Sequence, residues 1–224
     1  MLWVIEISKI FEKKTENTNK TEKIYKNVRI ILRLHAKQDK IYCIQENNRG
    51  YIMEKIYETA YAKINLGLDV LGKRSDGYHE VRMVMQSVGL SDAVEIEEGE
   101  GLVVETDHSG LAGGPDNLAW KAAELLARCC GKIPNVHIRL NKKIFLAAGL
   151  AGGSSDAAAV MRGLSRLWQL DLTAPELEKL AAELGSDIPF CITGGTALAE
   201  GRGEILTELP EAPELLLVLA KPKL

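Results

Sequence analysis

The 224-residue sequence lacks several patterns that would settle its class at once. It has no Gly-Lys-Ser/Thr after a glycine run, so it carries no Walker A loop, and no G-x-G-x-x-G dinucleotide spacing. Its four cysteines, Cys43, Cys129, Cys130 and Cys191, form no C-x-x-C pair and no metal-ligand spacing. Adjacent Cys129 and Cys130 on a predicted helix suit a reduced cytoplasmic protein better than a disulfide framework. No uncharged apolar run is long enough to span a bilayer. The opening MLWVIEISKIF has no basic leader and carries Glu6 in its apolar run, which argues against a signal peptide. With a net charge of -3, there is no electrostatic case for nucleic acid or an anionic membrane as partner.

What is present is uneven. Residues 1 to 52 hold 11 Lys and Arg against 6 Asp and Glu, and a single alanine, Ala36. The remainder has an excess of acids and 21 alanines. The segment FEKKTENTNKTEK is polar and of low complexity, and NVRIILRLHAKQDKIYCIQE has a weak hairpin pattern. These features predict an atypical, disordered extension over 1–52 and a domain over 53–224, with Met53 as a candidate start.

From Glu54 onward, strands are predicted over EKIYETAYAKINLGLDVLGKR, HEVRMVMQSVGL, DAVEIEEGE, GLVVETD and NVHIRLNKKIFL. Further strands are predicted over TALAEGRGEILTEL and ELLLVLAKP, the last apolar enough to be covered on both faces. A helix follows Asn117 as N-cap and stops at Gly131; another runs from about Ser154 to Trp168. A third opens at Thr173 with Pro175 in its first turn and closes at Gly185. Early strands and later interspersed helices give an α+β class. Met83, Met85 and Trp120 read as core, and His35, His108 and His137 as surface or packing residues.

The stretch AAGLAGGSSDAAAVM, residues 147 to 161, places small residues and two serines before an alanine-rich helix. Glycines let backbone approach a ligand, and a helix start offers free N–H groups and a positive dipole end. Together these make an anion site, most often for phosphate. The same letters also spell a surface turn with Ser154 or Ser155 as N-cap.

Three segments, AYAKINLGLDVLGKRSDGYHEV, AAGLAGGSSDAAAVMRGL and ELGSDIPFCITGGTALAEGRGE, resemble the GHMP kinase superfamily. RSDGYHEV narrows the resemblance to its branch acting on 4-diphosphocytidyl-2-C-methyl-D-erythritol. The resemblance implies the ribosomal protein S5 domain 2-like fold and ATP-dependent phosphorylation of that substrate's 2-hydroxyl, in non-mevalonate isoprenoid biosynthesis. A non-catalytic remnant and another small-molecule kinase of the superfamily stay as alternatives.

It further implies that Ala147, Ala148, Gly149, Leu150, Ala151, Gly152, Gly153, Ser154 and Ser155 wrap the triphosphate of ATP, with Ser155 seating Mg2+. Asp187 becomes the base and Lys63 its cationic partner; on their own these read as a turn residue and a strand-edge lysine. Asn65, Tyr78 and His79 become substrate contacts, although His79 alone reads as the close of a hairpin turn. The expected partner is a small molecule, with no nucleic acid and no membrane; the oligomeric state is open. Phe145 stands where the family usually has proline, and the family's second lobe has no counterpart before Leu224, which implies a C-terminally truncated member.

Overall fold

The computed structural model describes residues 3–6, 29–30, 42–46 and 52–221, with side chains from 55 to 221. In chain order the first elements are β1 (Trp3–Glu6), β2 (Arg29–Ile30), β3 (Tyr42–Glu46), β4 (Ile52–Lys73), β5 (His79–Glu98) and β6 (Leu102–Thr106). Then come α1 (Leu118–Cys130), β7 (Val136–Asn141), α2 (Gly152–Leu167), α3 (Ala174–Ala181) and α4 (Ile188–Thr193). The last are β8 (Thr196–Gly201), β9 (Ile205–Glu208) and β10 (Leu217–Ala220).

The larger sheet runs β3-β4-β5-β7-β6, with β8 also on β5 and β9 on β8. β4 and β5 form one antiparallel hairpin from Ile56 opposite Ile96 to Lys73 opposite His79. Its register slips between Tyr61 and Lys63, between Asn65 and Gly67, and between Val70 and Gly72. Such bulges bend a strand and re-aim its side chains.

β5 differs from the two strands predicted over this stretch: it is continuous and changes partner midway. Val81–Gln86 pair with β8, and Ala93–Glu98 pair with β7. One strand thus serves two neighbours and keeps the segment between them, 87–92, in register with neither.

The main core lies between the sheet and the helices. Ile56, Val94, Ile96, Ile138 and Leu140 meet Ala122, Leu126, the run Ala157–Met161 and Leu164. Alanine dominates the helix side, so α2 sits close on the sheet, and each buried aliphatic side chain contributes about 1.5–3 kcal/mol. A second cluster joins Ala62, Ile64, Val88, Leu90, Ile144, Leu150, Leu217 and Leu219. A third joins Met83, Met85, Phe190, Ala197 and Ala199. Met83 and Met85 are core, and Trp120 packs against the main cluster.

The helix starts at Asn117 and Thr173 and the stop at Gly131 stand as read, while α3 ends at Ala181, short of the expected close at Gly185. Asn117 accepts from the Ala119 N–H at 2.9 Å, and Gly131 ends α1 in the left-handed region. Thr173 and Glu176 form a capping box on α3. β10 is a correction: only Leu217 and Leu219 are buried, while Val218 and Ala220 are half-buried. Its residues alternate in direction, so one face packs on the second cluster while its edges pair with β1 and β2. The hairpin read over 27–46 does not join the strands described there, since β2 pairs with β10 and β3 with β4. The rest of 1–52, and the disorder expected there, lies outside the described residues.

Candidate active site

Lys63 stands just past the first bulge of β4, between Ala62 and Ile64, both buried in the second cluster. Alternation turns Lys63 to the opposite face, where it is 5% exposed. A buried ammonium requires partners, because unpaired it forfeits its hydration. It has two. Its Nζ lies 3.3 Å from Asp187 Oδ2 and donates to Asn65 Oδ1 at 3.3 Å. Asn65 follows two residues later on the same face, which fixes where the cation points.

Asp187 is the N-cap of α4, a helix that the sequence reading missed. The signal was there: an aspartate followed by Ile188-Pro189, with proline in the first turn. Phe190 and Ile192 bury the far side of α4 in two clusters, while the Asp187 side chain keeps 34% exposure. The pair therefore has a shielded cation and a carboxylate open on one side.

The glycine loop is tied to the strand that carries Lys63. The Lys63 N–H donates to the Leu150 carbonyl at 3.1 Å, which ties the loop's backbone to the strand that carries the cation. Leu150 itself is 1% exposed and belongs to the core, so only its backbone serves the loop. Ala147, Gly149 and Ala151 all have positive φ, at 52°, 73° and 56°. A non-glycine residue there is strained, and such strain collects at ligand sites.

Ala151 is the N-cap of α2 and offers no side-chain oxygen. The first N–H groups of α2, at Gly152, Gly153 and Ser154, thus go uncapped by a side chain, as an anion site requires. This also shifts the helix start from Ser154 to Gly152. Ala148 packs half-buried on the second cluster.

The metal role expected of Ser155 does not fit its surroundings. Ser155 is 1% exposed, its hydroxyl donates to the Tyr61 carbonyl at 2.5 Å, and Cys191 Sγ lies 3.3 Å away. It staples α2 to β4. Ser154, half-buried, keeps the available hydroxyl. Among the described residues, no cluster of three His, Cys, Asp or Glu could hold a metal.

Behind the loop is a buried charged group that the sequence did not announce. Lys142 Nζ contacts Asp92 Oδ2 at 2.5 Å and also Asp156 in the first turns of α2. Asp92 Oδ1 accepts the N–H groups of Lys143 and Ile144. All three side chains are almost wholly buried, so the entry to the loop, the strand β5 and the helix start are locked together. Burial pushes the Asp156 carboxyl up to about 7; Lys142 opposes this and Asp92 adds to it.

Tyr78 and His79 occupy the tip of the β4–β5 hairpin. Arg74 clamps that turn through Asp76 at 3.1 Å and Glu80 at 2.5 Å. Tyr78 is 52% exposed, and His79 is exposed opposite Lys73. The Arg202 guanidinium, from the β8–β9 turn, lies 4.8 Å from the Tyr78 ring centre. The structure brings Lys63, Asn65 and Asp187 together, ties the loop to the Lys63 backbone through Leu150, and sets Tyr78 beside Arg202.

Three comparisons bear on these geometries. The family model described as GHMP kinases N terminal domain matches residues 117–195. The chain is similar to 4-diphosphocytidyl-2-C-methyl-D-erythritol kinase of Synechococcus sp. (strain JA-3-3Ab), 53% identical over 73% of this chain and 53% of the relative. It is 50% identical to the enzyme of that name from Acetivibrio thermocellus, over 76% of this chain and 61% of the relative. It thus spans little more than half the length of these relatives. A crystal structure of 4-(cytidine 5'-diphospho)-2C-methyl-D-erythritol kinase matches with a TM-score of 0.60 at 39% identity, over 69% of this chain and 55% of the other. Methanococcus jannaschii mevalonate kinase shares the fold alone, with a TM-score of 0.53 at 14% identity over 69% and 56%.

Proposed function

We propose, from the premise that this chain carries a GHMP kinase N-terminal domain, that it supplies the ATP-binding and proton-accepting part of a kinase. The reaction is transfer of the γ-phosphoryl group of ATP to the 2-hydroxyl of 4-diphosphocytidyl-2-C-methyl-D-erythritol, a step of non-mevalonate isoprenoid biosynthesis in the cytoplasm. The observation that carries this reading is the Lys63–Asp187 pair at 3.3 Å, with Lys63 on a strand whose backbone is bonded directly to an uncapped helix-start loop.

Asp187 accepts the proton as the hydroxyl attacks phosphorus. Lys63, held by Asn65, keeps the carboxylate oriented and lends positive charge to the developing alkoxide. Backbone N–H groups from Gly149 to Ser154 hold phosphate oxygens. Were a Mg2+ bound with ATP, it would supply charge neutralisation at the phosphates, and the half-buried Ser154 hydroxyl would be the side chain placed to help hold it. Tyr78 and His79 receive the cytidine end, the ring by stacking and the imidazole by a hydrogen bond to the pyrimidine edge. Residues 53–224 form this domain and 1–52 an added extension.

The test is phosphorus NMR of the purified chain with ATP and the cytidyl substrate, alongside mevalonate and homoserine as competitors. ATP binding with transfer, or with saturable binding, confined to the cytidyl substrate is expected. Preference for another alcohol would assign a different kinase of the same fold, and failure to bind any nucleotide would overturn the reading.

A further inference from the structure

The β8–β9 turn reaches two places at once. Gly201 and Gly203 both have positive φ, and the Arg202 N–H donates to Glu204 Oε2 at 2.7 Å, so the turn is tightly wound. A Cβ on Gly203 would stand 2.6 Å from Met83 Cε and 3.8 Å from Ser186 Cβ. The φ of 114° at Gly203 favours glycine, and the turn lies close to the buried Met83 and to Ser186, the residue preceding Asp187. The turn is thus seated against the loop of the candidate base, and from there Arg202 extends over the Tyr78 ring at 4.8 Å. Its Nε also lies 3.5 Å from Glu204 Oε1, which limits the directions the side chain can take.

We infer that Arg202 is a positioning residue for the nucleoside end of the substrate: it backs one face of Tyr78 so that the other face stacks a pyrimidine. The inference rests on the cytidyl substrate proposed above. A tyrosine at a hairpin tip with 52% exposure otherwise turns freely, and a free ring makes a poor stacking surface. A guanidinium on one face fixes the ring plane and leaves the second face to a base.

The turn also spaces the substrate. Tyr78 is reached from Asp187 through Ser186, Gly203 and Arg202, so one short turn sets the distance from base-stacking ring to proton acceptor. Charge at the tip is organised to match. Against a desolvation effect, the Tyr78 N–H, Arg74 and Arg202 hold the Asp76 carboxyl below its usual range. Asp76 in turn bonds the Tyr78 N–H at 3.1 Å, fixing the backbone beneath the ring.

The experiment titrates the purified chain with cytidine 5'-diphosphate in saturating ATP, following tyrosine ring resonances by NMR. Arg202→Ala should weaken cytidine diphosphate binding about five- to tenfold while leaving ATP affinity and melting temperature unchanged. Arg202→Lys, which keeps a cation over the ring, should restore part of the loss, and Arg202→Ala should do nothing further in a Tyr78→Leu background. Binding to wild type that Arg202→Ala leaves intact, or equal effects of Arg202→Ala with and without Tyr78, would overturn the role of Arg202. No cytidine diphosphate binding by wild type would overturn the cytidyl reading and this inference with it.

Discussion

Gly152 offers the sharpest separation of the anion loop from mere packing. A Cβ added there would stand 3.0 Å from Ile144 Cγ2, 3.3 Å from Ile144 Cβ and 3.7 Å from Lys142 Nζ. Ile144 is 2% exposed, and Lys142 is held by two aspartates, so neither can retreat. Gly152→Val adds two further carbons into this space. Such overpacking costs about 1–3 kcal/mol. For a chain of this size, 2 kcal/mol lowers the melting temperature by about 4–8 °C. The compression falls on the first residue of α2, displacing the N–H groups assigned to phosphate, so ATP affinity should drop at least about tenfold. Gly153→Ala is the control: its Cβ meets Leu118 Cδ1 at 3.5 Å, an ordinary contact. That variant should melt at or above the wild-type temperature, since alanine favours helix over glycine. Scanning fluorimetry and calorimetric ATP titration of both variants provide the assay. Normal ATP binding by Gly152→Val would refute the phosphate loop. An equal fall in melting temperature for Gly153→Ala would refute the argument from Ile144.

Three other outcomes are expected. Under the proposed kinase reaction, Asp187→Asn should cut any phosphoryl transfer by about 10²–10⁴ in steady-state kinetics, with ATP affinity within about twofold of wild type; near-normal turnover by the variant would remove Asp187 from the proposed mechanism. Asp156 has a native carboxyl raised from 3.8 to about 7, so the native state binds its proton more tightly than the unfolded chain does. Its contribution is therefore full below about pH 4 and is lost as pH rises through about 7. Asp156→Asn, with a neutral side chain at every pH, should flatten the fall in urea midpoint between pH 5 and 7.5; an unchanged slope would show that Asp156 ionises freely. Burial pushes the Cys191 thiol up to about 11, outweighing the opposing hydrogen bond from Ser155. Iodoacetamide at pH 8 should label exposed Cys129 well before Cys191, as read by peptide mass spectrometry, and equal rates would contradict the packing described.

The parts of the fold legible in sequence are those whose causes are local. Asn117 and Gly131 bracket α1 because a cap and a left-handed stop act on their own neighbours. Thr173 with Pro175 in the first turn marks the start of α3 for the same reason. α2 begins two residues before the expected Ser154 because its cap, Ala151, works through backbone conformation and leaves no side-chain mark. The continuity of β5 was hidden because it depends on two partners, β8 and β7, that arrive much later in the chain.

The candidate site divides along the same line. Its glycine loop is a contiguous string, so its chemistry could be weighed from residues 147–155 alone. The meeting of Lys63 with Asp187 could not. It requires α2 to lie on β4 through the Ser155–Tyr61 bond, and the loop to be tied to Lys63 through Leu150. It also requires α4 to pack its Phe190 and Ile192 inward so that its cap faces the strand. Lys142 is the plainest case. In NKKIF it reads as one of two solvated lysines, yet only Lys143 stays outside while Lys142 is buried between Asp92 and Asp156. Nothing in the local pattern distinguishes them. The distinction comes from two carboxylates on other elements, without which a buried cation at Lys142 would stand uncompensated.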